Sequence, residues 1–228
     1  KEMSKYDGVL KPKNFEIFKE KLEEHGMGHL ADSFLLASGK LQTLCYKADI
    51  EAAMRTPGFA GFQLLDLHDF PGQGTALVGV LNAFWDDKGY VTSKEYSRFC
   101  NSTVPLLRLK KMIYLNNEEI LAKAELFHYG KAPLKNTPAI WKMTDHNGKI
   151  IATGKFPLVN LSDGLVTLGE IRQKIDMLLN PEQITISVAV DNFENSWNIW
   201  VYPAQKQEIA GEKQIRVTQV MDKAVINW

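Results

Sequence analysis

GFAGFQLLDLHDFPGQGTALVGVLNAFWDDKGY, residues 58–90, decides how the rest of the chain is read. Within it Gly61 to Leu67 (GFQLLDL) is a nearly continuous apolar run, bounded by Gly58 and Gly61 before and by Pro71-Gly72 after. That is the pattern of a strand buried on both faces, as in a parallel sheet. Asp66, His68 and Asp69 fall at or just past its carboxyl end, and Gln73 follows in a loop too rich in Gly and Pro to continue a strand. Polar groups gathered at the carboxyl ends of parallel strands are where β/α barrels and open α/β sheets hold their ligands. The plainer alternative is that Asp66 and Asp69 cap a helix or tie down the loop, with His68 a satisfied core histidine. Three such residues at one strand end, followed by glycines, favour the ligand-facing reading.

Upstream, FEIFKEKLEEHG repeats Phe15, Phe18 and Leu22 at helical spacing, with Asn14 as N-cap and Gly26 as stop. A second helical pattern starts near Leu30. A third starts near Leu41, where Leu41, Leu44, Cys45, Ala48 and Ala52 make one apolar face. Downstream, Ala76 to Leu81 is a short extended piece, Trp85 to Tyr90 turns, and Thr92-Ser93-Lys94-Glu95 caps a further helix over EYSRFCNSTVPLLRL.

Past Leu109 the periodicity changes from helical to alternating, which marks a boundary. Residues 120–129, 139–143, 149–153, 165–171, 184–190 and 197–202 are short runs separated by Asn, Gly, Asp and Pro, spaced like a β-sandwich. Asp145-His146-Asn147-Gly148 is a hairpin turn between two of them, and Trp141 is expected to plug the space between the sheets. Residues 1–109, 110–204 and 205–228 are therefore read as three pieces, the last, with IRVTQV, as a tail or the opening of a further module. A single parallel-type strand needs neighbours on both sides. The first piece is thus either the incomplete end of a larger sheet or a helical unit holding one odd strand, and the pairing demand of buried backbone favours the first.

The 27 basic residues cancel the 27 acidic ones, which argues against a nucleic-acid surface or a polybasic membrane patch. No apolar run approaches the length of about 20 residues that a membrane helix needs. Cys45 and Cys100 are the two cysteines, each in an amphipathic helical setting without a second ligand at metal spacing, and both are expected to be buried free thiols. No cofactor or metal is expected.

With these residues in view, residues 61–99 (GFQLLDLHDFPGQG to EYSRF) resemble the last strand, loop and helix of the catalytic barrel in glycoside hydrolase family 2 enzymes of the β-galactosidase and β-glucuronidase type. Lys110 to Pro203 resembles the immunoglobulin-like sandwich that follows that barrel, ending in NSWNIWVYP, and YDGVLKPKNFEIFKE resembles the segment just after the strand bearing the nucleophile glutamate. The resemblance implies an α+β fragment: the last helices and strand of a (β/α)8 barrel followed by an immunoglobulin-like β-sandwich. It implies a retaining hydrolase of O-glycosidic bonds, whose two carboxyl groups stand about 5 Å apart. Both glutamates would lie upstream, so the chain alone would be inactive; Glu16, Glu20, Glu23 and Glu24 read as a solvated helix face. Asp66, His68, Asp69, Gln73 and Trp85 would line the sugar pocket. Relatives often carry a stacking Trp in this strand where Leu64 and Leu65 stand here. The implied partners are a carbohydrate substrate and the remaining domains of the same polypeptide, with no nucleic acid and no membrane, in a periplasmic or secreted setting. The alternative reading is a non-catalytic carbohydrate-binding or structural module, presenting Trp197, Trp200 and Tyr202 from the sandwich, with at least one of the tryptophans in the core.

Overall fold

Ile120, Ala122, Ala124 and Leu126 alternate along one strand and meet Ile184, Ile186, Val188 and Val190 from another, and around that contact the second half of the chain closes. The computed structural model describes residues 5, 7–8, 11, 13–70 and 78–204. The order is helix α1 (Lys13–Glu24), a 3-10 turn (Gly28–Leu30), α2 (Ala31–Met54), the single turn α3 (Ser93–Tyr96) and then strands alone. These are β1 (Thr103–Leu109), β2 (Ile113–Leu115), β3 (Glu119–His128), β4 (Leu134–Thr137), β5 (Ala139–Thr144), β6 (Ile150–Lys155), β7 (Val159–Leu161), β8 (Gly164–Lys174), β9 (Glu182–Val190) and β10 (Phe193–Tyr202). The IRVTQV segment lies outside the described residues.

The strands form one sheet in the order β1-β3-β8 and a second in the order β2-β10-β9-β5-β6, with a β4-β7 pair alongside. Their inward faces make a β-sandwich core, to which β5 and β10 add Met143, Trp197, Ile199 and Val201. The short β2 runs parallel to β10, so the chain leaves the first sheet after β1 and joins the edge of the second before returning to β3. Trp141 is partly buried and packs against this core. His128 is a satisfied core histidine: Nδ1 lies 2.7 Å from the Thr103 hydroxyl, and Nε2 donates to the Ala132 carbonyl at 3.0 Å.

Two expectations for the first half change. Gly61 to Leu67 forms no strand among the described residues, and Leu65 is 78 % exposed. The backbone turns out of extended geometry at Gly58, Gly61 and Asp66, all with positive φ, so no ladder registers along it. The strand with both faces buried is β1: Leu107 enters the sandwich core, while Val104 and Leu106 pack with Ile50, Met54 and Phe99 beneath α2. TVPLLRL is therefore sandwich strand, not helix, and the sheets begin ahead of Lys110. Pro105 is tolerated there because β1 is an edge strand.

The second change is that α2 is one continuous 24-residue helix rather than two. Its packed face carries Gly39, Thr43, Ile50, Glu51 and Met54, whereas Leu41, Leu44 and Cys45 face outward. Cys45 is thus an exposed free thiol, and Cys100 a half-buried one whose ionisation burial pushes up. In the sandwich, the expected turn at 145–148 joins β5 to β6 with positive φ at Gly148, and Asp145 closes it by accepting from the Asn147 and Lys149 amides. The stop at Gly26 is as read: with φ +70° it lets Met27 donate to the Leu22 carbonyl at 2.8 Å.

Candidate functional site

The candidate residues of the 58–90 stretch meet on a small scaffold built from backbone first. Asp69 N–H donates to the Leu81 carbonyl at 3.0 Å and Leu81 N–H to the Leu67 carbonyl at 3.1 Å, a parallel bridge that zips 67–69 against 79–81. The two stretches approach so closely that a Cβ on Gly79 would sit 2.4 Å from the His68 carbonyl carbon. Only glycine fits there.

Leu81 also bridges Asp87 in the antiparallel sense, closing a hairpin whose tip holds Trp85. Buried Asn82 shapes that tip: its Oδ1 accepts from the Phe84 and Asp86 amides at 2.8 and 2.9 Å, and Trp85 N–H returns to the Asn82 carbonyl at 3.0 Å. Trp85 follows this turn at φ +67°, where hairpins of this kind ordinarily place Gly or Asn. A bulky residue in that region costs on the order of 1–3 kcal/mol and persists where surrounding structure enforces it, a hallmark of ligand clamps. The indole is 61 % exposed and stacks on the His68 ring at a centroid distance of 4.4 Å, tilted by 37°. His68 Nδ1 donates to the Asp69 carbonyl at 2.8 Å, which orients the ring. Asp66, two residues before His68, is half-buried at φ +62° and its side chain has no hydrogen-bond partner among the described residues.

Asp69 does a different job. Its Oδ1 accepts from Lys88 Nζ at 2.6 Å and from the Gly79 amide at 2.9 Å, and both partners of the ion pair are almost fully buried. Lys88 also donates to the Gly79 carbonyl at 2.8 Å, and its ammonium lies 5.7 Å from the Tyr90 ring centroid. Asp69 is thus a buried tie, next in the chain to the His68 ring that stacks on Trp85. Gln73 lies outside the described residues. Sequence reasoning missed Lys88, which reads as an ordinary turn residue in WDDKGY, and Asn82; the signal for the latter is an Asn four residues ahead of Asp86.

A second polar cluster, also missed, joins α2 to the sandwich. Glu51 is 2 % exposed, and its carboxylate accepts from Arg55 Nη2 at 2.5 Å, Asn195 Nδ2 at 2.8 Å and Trp197 Nε1 at 3.0 Å, with Lys47 as a further ion-pair partner. Lys47 donates to Asn195 Oδ1 at 2.7 Å and lies over the Trp197 ring at 4.5 Å, and burial holds its ammonium below the usual lysine range against the opposing pull of Glu51. Arg55 donates to the Leu107 carbonyl at 2.8 Å while Arg108 donates to the Arg55 carbonyl at 2.9 Å, so the helix end and β1 clasp each other. The i, i+4 spacing of Lys47, Glu51 and Arg55 is the trace this cluster leaves in the sequence. Trp197 is therefore buried, while Trp200 and Tyr202 stay exposed on the opposite face of β10.

Among the described residues no group of three or more His, Cys, Asp or Glu is placed to hold a metal, and no helix is long and apolar enough to cross a membrane.

Residues 118–203 match a family model described as a domain of unknown function (DUF8488), which covers the sandwich from β3 onward. No curated protein matches the sequence. Solved structures with partial likeness include glycoside hydrolases. A β-glucuronidase from Parabacteroides merdae is 15% identical, with a TM-score of 0.33, covering 44% of this chain and 13% of that one. A β-glucosidase from Listeria innocua, solved with glucose, is 9% identical with a TM-score of 0.32, over 44% of this chain and 16% of its own. An alkylpurine DNA glycosylase from Pseudomonas fluorescens, bound to DNA with an abasic-site analogue, is 14% identical with a TM-score of 0.36, over 44% of this chain and 30% of its own. In each case this chain spans less than a third of the neighbour.

Proposed function

We propose that this chain is part of a retaining glycoside hydrolase of the β-galactosidase and β-glucuronidase type, contributing one rim of the sugar pocket and a bracing sandwich of immunoglobulin-like topology. The observation that carries the reading is Trp85: a tryptophan held exposed at positive φ and stacked on His68. An indole face takes the apolar side of a pyranose, and the imidazole beside it takes a hydroxyl; Asp66, a few residues earlier in the chain, is the proposed carboxylate of the same rim. Asp69 and Lys88 position that surface from beneath. The rest of the barrel and the two catalytic carboxylates come from other parts of the polypeptide.

The strand order of the two sheets and the parallel β2-β10 edge pair support the immunoglobulin-like assignment. The sandwich braces the rim through α2, since the Glu51 cluster locks helix to sheet and the Tyr90 ring packs against Gly39 of that helix.

The test is calorimetric titration of the chain with methyl β-galactoside and methyl β-glucuronide, paired with an aryl-glycoside assay. Saturable binding that Trp85→Ala and His68→Ala each weaken at least about tenfold, without turnover by the chain alone, is the expected outcome. Binding indifferent to both substitutions, or hydrolysis by this chain, would sink the reading. A second reading, sugar binding by the outer face of the sandwich, rests on the exposure of Trp200 and Tyr202 side by side on β10; there Trp200→Ala, and not Trp85→Ala, would abolish affinity.

A further inference from the structure

A cleft of about 750 Å³ runs between α2, the 90–99 segment and the edge formed by β1 and β10, away from Trp85 and His68. The size is that of a site for a ligand of several rings. One wall is the face of α2 from Lys40 to Arg55, and at 1.5 Å per residue it extends over roughly 22 Å.

Its charge is lopsided. Lys40, Lys47, Arg55, Arg98 and Arg108 line it, against Glu51 and Glu95. Both carboxylates are already committed: Glu51 to Lys47, Arg55, Asn195 and Trp197, and Glu95 to the Thr92 amide and hydroxyl as the reciprocal cap of α3. Arg108 turns to Glu125 outside the lining. The Lys40 and Arg98 side chains make no hydrogen bond or ion pair among the described residues, although the charges of both act on Glu95, and buried Arg55 Nε lacks an acceptor there. At the other end Trp200, 40 % exposed, and Met112 supply an apolar wall. Excess cation at one end and an indole at the other fit a ligand that is both anionic and ring-built, and a bare anion would leave the indole end unused.

We propose that this cleft binds an acidic oligosaccharide, one pyranose stacked on Trp200 and the carboxylates or sulfates of neighbouring units meeting Lys40 and Arg98. The proposal does not depend on the Trp85 rim, which lies elsewhere on the chain.

The probes are a tetragalacturonate, a heparin-derived tetrasaccharide, neutral cellotetraose and sodium sulfate, each titrated calorimetrically into the whole chain. At least one acidic tetrasaccharide binds, cellotetraose and sulfate bind at least about tenfold more weakly, and affinity falls as salt rises. Arg98→Ala, Lys40→Ala and Trp200→Ala each weaken the acidic ligand several-fold, while Trp85→Ala leaves it unchanged. Lys40 and Arg98 make no tertiary bond whose loss would unfold the chain, and circular dichroism of each variant verifies this. The preference of tetragalacturonate over the sulfated probe, or the reverse, tells which acid group is read. The proposal is overturned if no acidic tetrasaccharide binds, if cellotetraose or sulfate binds equally well, or if the Arg98 and Lys40 variants bind like the parent. Weakening by Trp85→Ala instead of Arg98→Ala would also overturn it while leaving the rim reading intact.

Discussion

Asp69 and Lys88 form an ion pair with both side chains out of water, and such pairs are costly to break from one side because the remaining charge stays buried. Lys88→Met should therefore destabilise the chain by about 3–5 kcal/mol in urea unfolding, whereas replacing both partners with apolar residues should recover much of that loss. Glu51 follows the same logic with more partners: Glu51→Gln leaves Lys47 and Arg55 as buried cations with no anion between them, and a loss of similar size, about 3–5 kcal/mol, is expected. A loss below about 1 kcal/mol in either variant would mean that water reaches these groups. On the sandwich surface His146 Nδ1 lies 2.6 Å from Glu182, and that contact raises the histidine above its ordinary value near 6.5 while holding Glu182 below 4.5. Because the histidine is raised, its share of stability is full below the unfolded value and lost as pH climbs through the folded one. Because the carboxylate is depressed, its share is present above the unfolded value and lost on acidification, so the pair acts between the two. An NMR titration should put the His146 midpoint above 6.5, and in Glu182→Gln it should return toward that value.

At the scale of elements, what was legible in the sequence and what was not separate along a physical line. The strand runs from Ile120 to Tyr202 are readable chiefly where one face is in the core and one towards solvent, as in Trp197, Ile199 and Val201 of β10 against Asn198, Trp200 and Tyr202, which writes a period of two into the residues. The strands missed, β1, β2, β4 and β7, carry no such period: β1 is buried on both faces, and the other three are only three or four residues long. A run buried on both sides looks the same as any apolar loop, so the sequence pattern does not separate the loop GFQLLDL from the strand TVPLLRL. The orientation of α2 was hidden for a related reason. Its packed face is held by Glu51 and by Gly39, where a Cβ would meet the Tyr90 ring at 2.3 Å, while its leucines point outward. Leu41→Ser and Leu44→Ser should accordingly shift stability by no more than about 0.5 kcal/mol, against about 2–5 kcal/mol for Ile50→Ala. Gly39→Ala, which would gain helix propensity of about 1 kcal/mol in an open position, should instead destabilise, and thermal unfolding distinguishes the two signs. Of the site, the cluster at 66–69 and Trp85 were visible as polar and aromatic residues in a turn-rich loop. That Asp69 is turned inward was not, since its partner Lys88 is nineteen residues away and paired only through the fold.

Over the whole molecule, two polar locks connect the proposed rim to the sandwich. The Asp69–Lys88 pair fixes the loop that presents Trp85, Tyr90 carries that loop onto α2 at Gly39, and the Glu51 cluster fastens α2 to β1 and β10. The sandwich is thus tied to the loop that carries Trp85, the proposed rim. The most direct measurement is an NMR titration of the nitrogen-15-labelled chain with methyl β-galactoside and methyl β-glucuronide, following the indole N–H of each tryptophan and the His68 ring. Saturable shifts at Trp85 and His68 with the Trp197 indole unmoved are the expected result. Shifts at Trp200 with Trp85 and His68 silent, or no shift at any of them up to saturating sugar, would contradict the placing of the sugar rim.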